Sequence, residues 1–295
     1  MQPKVIVHGG ARDLTDTEPQ RKADVKKAGE YAYSLLQEGK SAVDAVEAAI
    51  KIMESSPYLN AGVGSYLQLD GIVRMDASIM TSDLRAGAVI SIEDVEHPIS
   101  VARKVMENTQ HVILSGSLAK DFARAEGFPR FDTRTRDNVE LWLDIIEEFK
   151  HQTTYEQIYH VDKYLKTGKH TLGTVGCVAM DDTGMIVAGT STGGLKMNVP
   201  GRVGDSPILG AGTYACKDGG VSCTGIGEKI LVLGLAKSVT NFLRYNPSSY
   251  AQDAAEYGVN ELNTINADGG MIIIDKNGNI GHKCNTEVMT MHSIE

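Results

Sequence analysis

Apolar residues in the first half of the chain recur at two spacings, and each spacing predicts a different element. The apolar run Val5-Ile6-Val7 followed by His8 predicts a buried strand that ends at Gly9 and Gly10, where the backbone can turn tightly. Residues 22–37 are rich in helix formers and predict a helix. A second helix is predicted to open at Ser41 with a capping-box pattern. Its buried face is predicted to comprise Val43, Val46, Ile50 and Met53.

Three polar turns between apolar runs predict three hairpins. They centre on Asp70-Gly71, residues 181–184 and Asn277-Gly278, which are sequences that accept unusual backbone angles. Further strands are predicted over 86–92, 111–114 and 208–215, and helices over 98–106, 118–125, 137–150, 229–243 and 247–262. Hairpins combined with this many helices predict an α+β fold, an αββα sandwich in which two stacked, mainly antiparallel sheets lie between layers of helices.

One segment lacks this regular patterning. Residues 151–170 are rich in Gln, Thr, Tyr and Lys and have weak apolar periodicity, which makes them the best linker candidate in the chain. They end a few residues before the sequence Gly173-Thr174. A mobile arm beside a scissile bond would suit proteolytic processing, and a plain surface loop or an irregular helix is the alternative.

Composition and charge argue against some classes of function. The 295 residues are 42% hydrophobic and 23% charged, as in an ordinary globular protein with a sizeable core. The formal net charge of −9 disfavours a nucleic-acid partner, because phosphates are bound by clustered Lys and Arg. No apolar run approaches the roughly 18 residues of a membrane span, and residues 1–8 turn polar too soon for a signal peptide. We therefore expect a cytoplasmic protein without a membrane partner.

The cysteines and histidines give no metal-binding signature. Cys177, Cys216, Cys223 and Cys284 stand singly, without C-x-x-C spacing, and are expected to be buried thiols. The eight histidines form no H-x-x-x-H pair. We expect no catalytic transition metal, and we expect His8 to be a hydrogen-bonded core residue.

Gly173 and Thr174 suggest a specific chemistry. Glycine tolerates backbone conformations that other residues resist, as self-cleavage of the Gly173–Thr174 bond would require. Cleavage would leave Thr174 with both a hydroxyl and an α-amine, whose ordinary pKa of about 8 suits a general base. The alternative from this stretch alone is a β-hairpin in which Thr174 is an ordinary strand residue.

Two further stretches could bind an amino acid. Arg202 offers a fork for a carboxylate and Asp205 offers acceptors for an ammonium group, although a salt bridge between the two across a turn is an alternative. Residues 224–228 lead directly into the helix predicted over 229–243, whose N-terminal N–H groups suit an oxyanion. Phosphate binding there is a weaker alternative. Residues 230–236 are apolar on nearly every side, which predicts that this helix is buried.

Seven segments, in order, give the chain a resemblance to the plant-type L-asparaginase and isoaspartyl peptidase family of threonine-type N-terminal nucleophile (Ntn) hydrolases. The segments are His8-Gly9-Gly10-Ala11, Asn60-Ala61-Gly62, residues 75–80, residues 173–176, residues 190–194, residues 201–207 and residues 224–228. The resemblance runs nearly end to end. It implies the Ntn-hydrolase fold and an enzyme that cleaves itself before Thr174.

The resemblance also implies roles for individual residues. Residues that match the family's catalytic groups are Thr174, Thr192, Thr224, Gly225 and Asn60. Those that match its substrate-binding groups are Arg202, Asp205, Thr224, Gly225 and Gly227. Gly9 and Gly10 match a loop that bears on maturation, and Arg12 departs from the glycine that relatives often carry there. The main-chain carbonyls that match a structural sodium site belong to Met53, Glu54, Ser56, Leu59, Ala61 and Val63.

The implied activity is hydrolysis of L-asparagine, of β-aspartyl dipeptides, or of both, without a catalytic cofactor. A single domain over 1–295 would be cut into 1–173, with a linker at about 151–173, and 174–295. The implied assembly is a dimer of these processed heterodimers. The alternatives are a threonine endopeptidase or a glycosylasparaginase-like enzyme of the same fold, or an unprocessed module that binds amino acids.

Overall fold

The computed structural model describes residues 1–150 and 173–295, so the predicted linker lies outside the described residues except for Gly173. Its strands are β1 Lys4–Arg12, β2 Met75–Thr81, β3 Ala86–Ile92, β4 Ile113–Ser115, β5 Val175–Met180, β6 Ile186–Thr192, β7 Thr213–Cys216, β8 Gly219–Gly225, β9 Gly269–Asp275, β10 Ile280–Cys284 and β11 Val288–Ile294. Its helices are α1 Glu18–Gln37, α2 Ala42–Glu54, α3 Pro98–Asn108, α4 Gly116–Ala125, α5 Arg136–Lys150, α6 Gly227–Leu233, α7 Leu235–Tyr245 and α8 Ala251–Thr264.

The strands form two sheets. The larger has the order β11-β1-β5-β6-β2-β3-β4 and the smaller β10-β9-β8-β7. All pairs are antiparallel except β3 with β4. The strands β5 and β6 therefore lie at the centre of the larger sheet.

Alternation along the strands divides the apolar core into three layers. In β5, Val175 and Cys177 pack with α1, α2 and α3 in one cluster, whereas Val178 and Met180 pack against the smaller sheet in another. A third cluster lies between the smaller sheet and the helices α7 and α8. Because successive side chains of a strand point to opposite faces, each sheet contributes to two of these layers. The predicted αββα sandwich and the α+β class are confirmed.

Local sequence signals account for many of the element boundaries. Ser41 caps α2 in the predicted capping box, with the Asp44 N–H donating to the Ser41 hydroxyl and the Asp44 carboxylate accepting from the Ser41 N–H. The hairpins of β5 with β6 and β9 with β10 are confirmed. Cys177, Cys216 and Cys223 are buried, as expected, whereas Cys284 is half-buried.

Two predictions about strands were wrong. The first strand does not end at Gly9 and Gly10 but continues to Arg12, with irregular pairing between His8 and Ala11. Asp70-Gly71 forms a turn without flanking strands, because β2 begins only at Met75 and pairs with β3 and β6. The hairpin in this region is instead closed by residues 82–85.

The helix predicted over 229–243 is broken. Gly234 adopts a left-handed conformation, with φ 54° and ψ 45°, and separates α6 from α7. Val232 is 80% exposed, so the apolar run before the break is not buried on every side. Glycine is the residue that adopts this conformation with the least steric cost.

The two segments on either side of Gly173 are interleaved. In the larger sheet, β1 from the first segment lies between β11 and β5 from the second, and β6 from the second pairs with β2 from the first. A cut before Thr174 would therefore leave two chains held together by shared sheet hydrogen bonds. Among the described helices, none is long and apolar enough to cross a membrane.

Candidate active site

Three strands place the predicted catalytic residues at one end of the sandwich. Thr174 immediately precedes β5, Thr192 ends β6, and Thr224 lies near the end of β8. Val175 pairs with Ser191, so the next positions along the two antiparallel strands, Thr174 and Thr192, are neighbours. Both of these threonines are buried.

The carbonyl of Gly173 is held by two donors. Its oxygen accepts a hydrogen bond from Asn60 Nδ2 at 2.8 Å and another from Thr192 Oγ1 at 3.3 Å. Thr174 Oγ1 in turn donates to Thr192 Oγ1 over 3.3 Å. The bond predicted to be cut thus has a polarised carbonyl, and the neighbouring hydroxyl has an acceptor for its proton.

Hydrogen bonds to three further residues fix Asn60 in this orientation. Its Nδ2 also donates to the Gly194 carbonyl at 2.6 Å, and its Oδ1 accepts from the Tyr66 N–H at 3.3 Å. The Asn60 carbonyl accepts from the Gly193 N–H at 3.0 Å. The side chain is therefore preorganised to donate to the Gly173 carbonyl.

The predicted maturation segment touches the same bond. Gly10 has φ 101°, and a Cβ built there would lie 3.0 Å from Gly173 Cα and 3.2 Å from Thr174 N. Only glycine allows this backbone conformation together with this close approach. Gly9 is equally confined, because a Cβ there would meet Leu59 Cδ2 at 2.9 Å.

Arg12 braces this segment from inside the protein. Its Nη1 donates to the carbonyls of Gly9 and Gly10, each at 3.3 Å. Its Nη2 pairs with Glu18 and donates to Thr290 Oγ1 at 3.1 Å. The guanidinium is fully buried, and burial is the main reason that the pKa of Arg12 is lowered to about 10. It therefore remains charged at neutral pH.

A small cleft adjoins Thr174 and is lined by the predicted substrate-binding residues Arg202 and Asp205. Asp205 and Ser206 line this cleft, and their side-chain atoms Oδ2 and Oγ are buried with no hydrogen-bond partner in the described part of the chain. Buried polar atoms normally have partners, so these two indicate a ligand site. An ammonium group would satisfy the Asp205 oxygen.

Arg202 does not form the alternative salt bridge with Asp205 but pairs with Glu228. Its Nε and Nη2 donate to the two Glu228 oxygens at 2.7 and 2.9 Å, a bidentate arrangement. The third nitrogen, Nη1, lies beside Gly204, where a Cβ would come within 2.8 Å of it. Glu228 thus fixes the guanidinium plane, and within residues 1–150 and 173–295 Nη1 has no hydrogen-bond acceptor, so it can bind a carboxylate in the cleft.

Two buried carboxyls in the cleft region have raised pKa values. Burial raises the pKa of Asp205 to about 7, although the nearby Arg202 charge acts in the opposite direction. Burial also raises the pKa of Asp76 to about 6, while its bonds to the Ser91 and Gly204 main chain act against this. Asp205 therefore titrates near neutral pH in the free protein.

The remaining predicted residues lie around the same cleft. Thr224 Oγ1 accepts from the Ala11 N–H at 3.3 Å, so its own hydrogen can be donated to another acceptor. Gly225 lines the cleft with φ 148°. Gly227 begins α6, and a Cβ there would lie 2.8 Å from Arg202 Nη2 and 2.9 Å from Asp205 Oδ1. All predicted catalytic and substrate-binding positions thus lie in or around one site.

Two glycines of the predicted sodium loop lie against main-chain carbonyls of the same loop. A Cβ at Gly62 would lie 2.2 Å from the Glu54 oxygen, and one at Gly64 would lie 2.0 Å from the Leu59 oxygen and 2.8 Å from the Ser56 oxygen. Within residues 1–150 and 173–295, no group of three His, Cys, Asp or Glu side chains is placed to hold a metal ion.

Four residues of the site have contacts that the sequence analysis did not assign. They are Arg12, Asp76, Ser206 and Glu228. Three of them lie within the segments that carry the family resemblance, and that resemblance was the signal that could have identified them. Their contacts could not be predicted, because the partners are distant in sequence. Arg12 is the exception, because a lone arginine after a predicted strand gives no sign that it will be buried.

Comparison with known proteins gives full-length matches. A family model described as Asparaginase matches residues 1–295. The chain is 44% identical over 291 residues to the protein named "Plant-type L-asparaginase" of Pyrococcus horikoshii, covering 97% of this chain and 94% of that protein. It is 38% identical over 284 residues to the protein named "Isoaspartyl peptidase/L-asparaginase" of Homo sapiens, covering 94% of this chain and 88% of that protein.

Arg12 provides a test of the bracing contacts. We expect Arg12→Met to lower the stability of the fold by about 3–5 kcal/mol, because Glu18 would be left buried without its partner. We also expect slower cleavage before Thr174, because the Gly9 and Gly10 carbonyls lose their donor. Thermal melting and the time course of cleavage on denaturing gels measure the two effects.

The double variant Arg12→Met, Glu18→Gln separates the effect on stability from the effect on cleavage. It removes the unpaired charge, so the melting temperature should recover toward that of the wild type while cleavage stays slow. Cleavage at the wild-type rate in the double variant would show that Arg12 acts on stability alone.

Proposed function

This chain belongs to the asparaginase family, and on that premise we propose that it is a self-cleaving amidohydrolase that releases aspartate from L-asparagine and from β-aspartyl dipeptides. Relatives from Pyrococcus horikoshii and Homo sapiens carry names for these two activities. The supporting observation from the structure is the convergence of Thr174, Thr192 and the held carbonyl of Gly173 beside the cleft of Arg202 and Asp205.

The first step of the proposed mechanism is maturation. Thr174 Oγ1 attacks the Gly173 carbonyl carbon, its proton passes to Thr192, and Thr192 donates its own proton to the carbonyl oxygen. The Asn60 amide stabilises the negative charge that develops on that oxygen. As the carbon–nitrogen bond breaks, the proton on the oxygen passes to the leaving Thr174 nitrogen, the carbonyl re-forms, and the Gly173 acyl group is left on the threonine oxygen as an ester. Water hydrolyses this ester and leaves Thr174 with a free α-amine.

Substrate binding uses the charged groups of the cleft. The substrate ammonium group binds the unpartnered Asp205 oxygen and the Gly227 carbonyl, and the substrate α-carboxylate binds Arg202. These contacts place the side-chain amide of asparagine toward Thr174. A site that binds both a free ammonium group and a free α-carboxylate favours an amino acid, or a dipeptide with a free aspartyl α-carboxylate, as the substrate. It disfavours the internal segment of a protein that an endopeptidase would cut.

Turnover repeats the nucleophilic attack on the substrate. The Thr174 amine takes the hydroxyl proton, Oγ1 attacks the side-chain carbonyl, and Thr224 with the Gly225 N–H holds the oxyanion. The leaving ammonia or amino acid departs with the proton from the amine, and a β-aspartyl ester remains on Thr174. Water then releases aspartate. All of these groups come from the chain, so the proposed chemistry requires no cofactor.

The proposal extends to the organisation of the protein. One domain would be processed into 1–173 and 174–295, and two such heterodimers would form the active dimer in the cytoplasm. The carbonyls around Gly62 and Gly64 would hold a structural sodium ion that fixes the loop leading to Asn60. The interleaved strands support the idea that the two segments stay together after cleavage.

Self-cleavage tests this function directly. Purified wild-type protein should separate on denaturing gels into two fragments cut before Thr174, and should release ammonia from asparagine and leucine from β-aspartyl-leucine. Thr174→Ala should remain one chain and release neither, because it lacks the nucleophile. Thr174→Ser keeps a hydroxyl and should retain some cleavage.

The outcomes distinguish the alternatives. A wild type that remains whole and hydrolyses neither substrate would support a module that only binds amino acids. A wild type that is cut but hydrolyses glycosylated asparagine or protein chains instead would support the other enzymes of the same fold.

The pH dependence tests the role of Asp205. Its carboxylate must be charged to bind the substrate ammonium group, and burial raises its pKa to about 7 in the free protein. Because kcat/KM reports the ionisation of free enzyme, it should fall about tenfold for each pH unit below 7 from this group alone. Bound substrate keeps Asp205 charged, so kcat should fall less steeply with decreasing pH than kcat/KM does. Protonation of the Thr174 amine is then the ionisation that lowers kcat. Parallel pH profiles for kcat and kcat/KM would contradict this role.

A further inference from the structure

A row of polar side chains crosses the space between the two sheets directly below the active site. On the larger sheet, His8, Gly176, Thr190 and Ser78 pair in register across β1, β5, β6 and β2. On the smaller sheet, Ser222 of β8 pairs with Thr213 of β7. The row lies two residues along the strands from the positions of Thr174 and Thr192, and therefore on the same inner face.

These side chains form one continuous hydrogen-bonded chain. His8 Nε2 lies 3.0 Å from Ser222 Oγ, and Ser222 Oγ lies 2.7 Å from Thr190 Oγ1. Thr190 Oγ1 is 2.6 Å from Thr213 Oγ1, which is 2.8 Å from Ser78 Oγ. Ser78 Oγ donates to the Ser206 carbonyl at 2.6 Å. Short links thus connect a strand of the nucleophile's sheet to the loop of Asp205.

Every member of the chain has a hydrogen-bond partner. The Gly10 N–H donates to His8 Nδ1 at 3.3 Å, so Nε2 carries the ring proton and donates to Ser222. Burial lowers the pKa of His8 to about 3, which keeps the ring neutral. From the other end of the chain, Ser78 Oγ donates to Thr213 Oγ1 or to the Ser206 carbonyl, and Thr213 Oγ1 donates to Thr190 Oγ1. All members of the chain are fully buried.

Both ends of this hydrogen-bonded chain lie next to the proposed catalytic and substrate-binding residues. His8 accepts from the Gly10 N–H and pairs in register with Gly176, which is two residues along β5 from Thr174. Ser206 lines the cleft and directly follows Asp205. Gly176 provides the room for the first link, because a Cβ there would lie 2.1 Å from Ser222 Oγ and 2.3 Å from His8 Nε2.

We propose that Ser222, Thr190, Thr213 and Ser78 are positioning residues that set the separation between the Thr174 nucleophile and the substrate-binding loop around Asp205. The inference rests on the proposed amidohydrolase function. Apolar side chains of similar size would fill this space without the desolvation of five polar groups. Hydrogen bonds are directional, so a hydrogen-bonded chain between the two sheets fixes their relative position. This matters for the reaction because small displacements of the reacting groups lower the catalytic rate.

A matched pair of variants at the centre of the chain provides the first test. Thr190→Val keeps the shape of the side chain but removes the hydroxyl, and Thr190→Ser keeps the hydroxyl. We expect Thr190→Val to lower kcat on asparagine about tenfold or more, the scale of one unpaired buried hydroxyl, and Thr190→Ser to stay within about twofold of wild type. Activity is expressed per cleaved chain, so that slow maturation does not enter the comparison.

A double-mutant cycle provides the second test. Ser222→Ala and Ser78→Ala break the chain at separate links and do not contact each other. If the chain acts as one unit, each should lower kcat about tenfold and the double variant should be about as slow as either single one. Independent local effects would multiply to about a hundredfold in the double variant.

The results decide the inference as follows. A multiplicative double variant, or equal kcat values for Thr190→Val and Thr190→Ser, would overturn the positioning role. If an alanine variant fails to fold, the Thr190 pair decides alone. Failure of the proposed function is recognised separately, because the wild-type protein itself would then show no cleavage or no turnover of asparagine and β-aspartyl-leucine.

Discussion

The site depends on how the carbonyl of Gly173 is held. The Asn60 amide and the Thr192 hydroxyl both donate to its oxygen, and the Thr174 hydroxyl donates to the same Thr192 oxygen. This arrangement requires the register between β5 and β6, which makes Thr174 and Thr192 neighbours, and a loop after α2 that brings Asn60 to the strand ends. The groups that polarise the Gly173 carbonyl are therefore in place in the uncut chain, and the cleft of Arg202 and Asp205 lies beside them. The proposed maturation and turnover can use one set of groups because the fold assembles them together.

The space between the sheets is divided along the strands by polarity. At one level, Val178, Ala188 and Ile274 form an apolar layer that holds the sheets together. At the next level the inner face carries the linked hydroxyls of Ser222, Thr190, Thr213 and Ser78, and beyond them lie Thr174 and Thr192. Apolar burial is not directional, so it stabilises the sandwich without fixing fine separations, whereas hydrogen bonds fix distances and angles. The directional hydrogen bonds therefore lie next to Thr174 and Thr192, and most of the buried apolar side chains that stabilise the fold lie farther away.

The sequence predicted features that depend on neighbouring residues. The capping box at Ser41, the hairpin of β5 with β6 and the placement of Thr174 beside a strand follow from local propensity and alternation. Long-range features were not accessible in this way. The strand β11 was not predicted, and β1 continues past Gly9 and Gly10 because β11 pairs with it there. Glu228 was known only as part of a motif, because its partner Arg202 is 26 positions away. Burial of Arg12 depends on Glu18 and Thr290, and the second of these lies at the opposite end of the chain.

The claim that Thr174 is the nucleophile of both reactions is tested most directly by trapping the intermediate. Asparagine turnover can be quenched in acid within milliseconds, and the intact fragments and their peptides analysed by mass spectrometry. The account predicts a β-aspartyl ester on the fragment that begins at Thr174, located on that residue and absent when the reaction is allowed to finish. An ester on another residue, or an acylated chain in which the Gly173–Thr174 bond is still closed, would contradict the account.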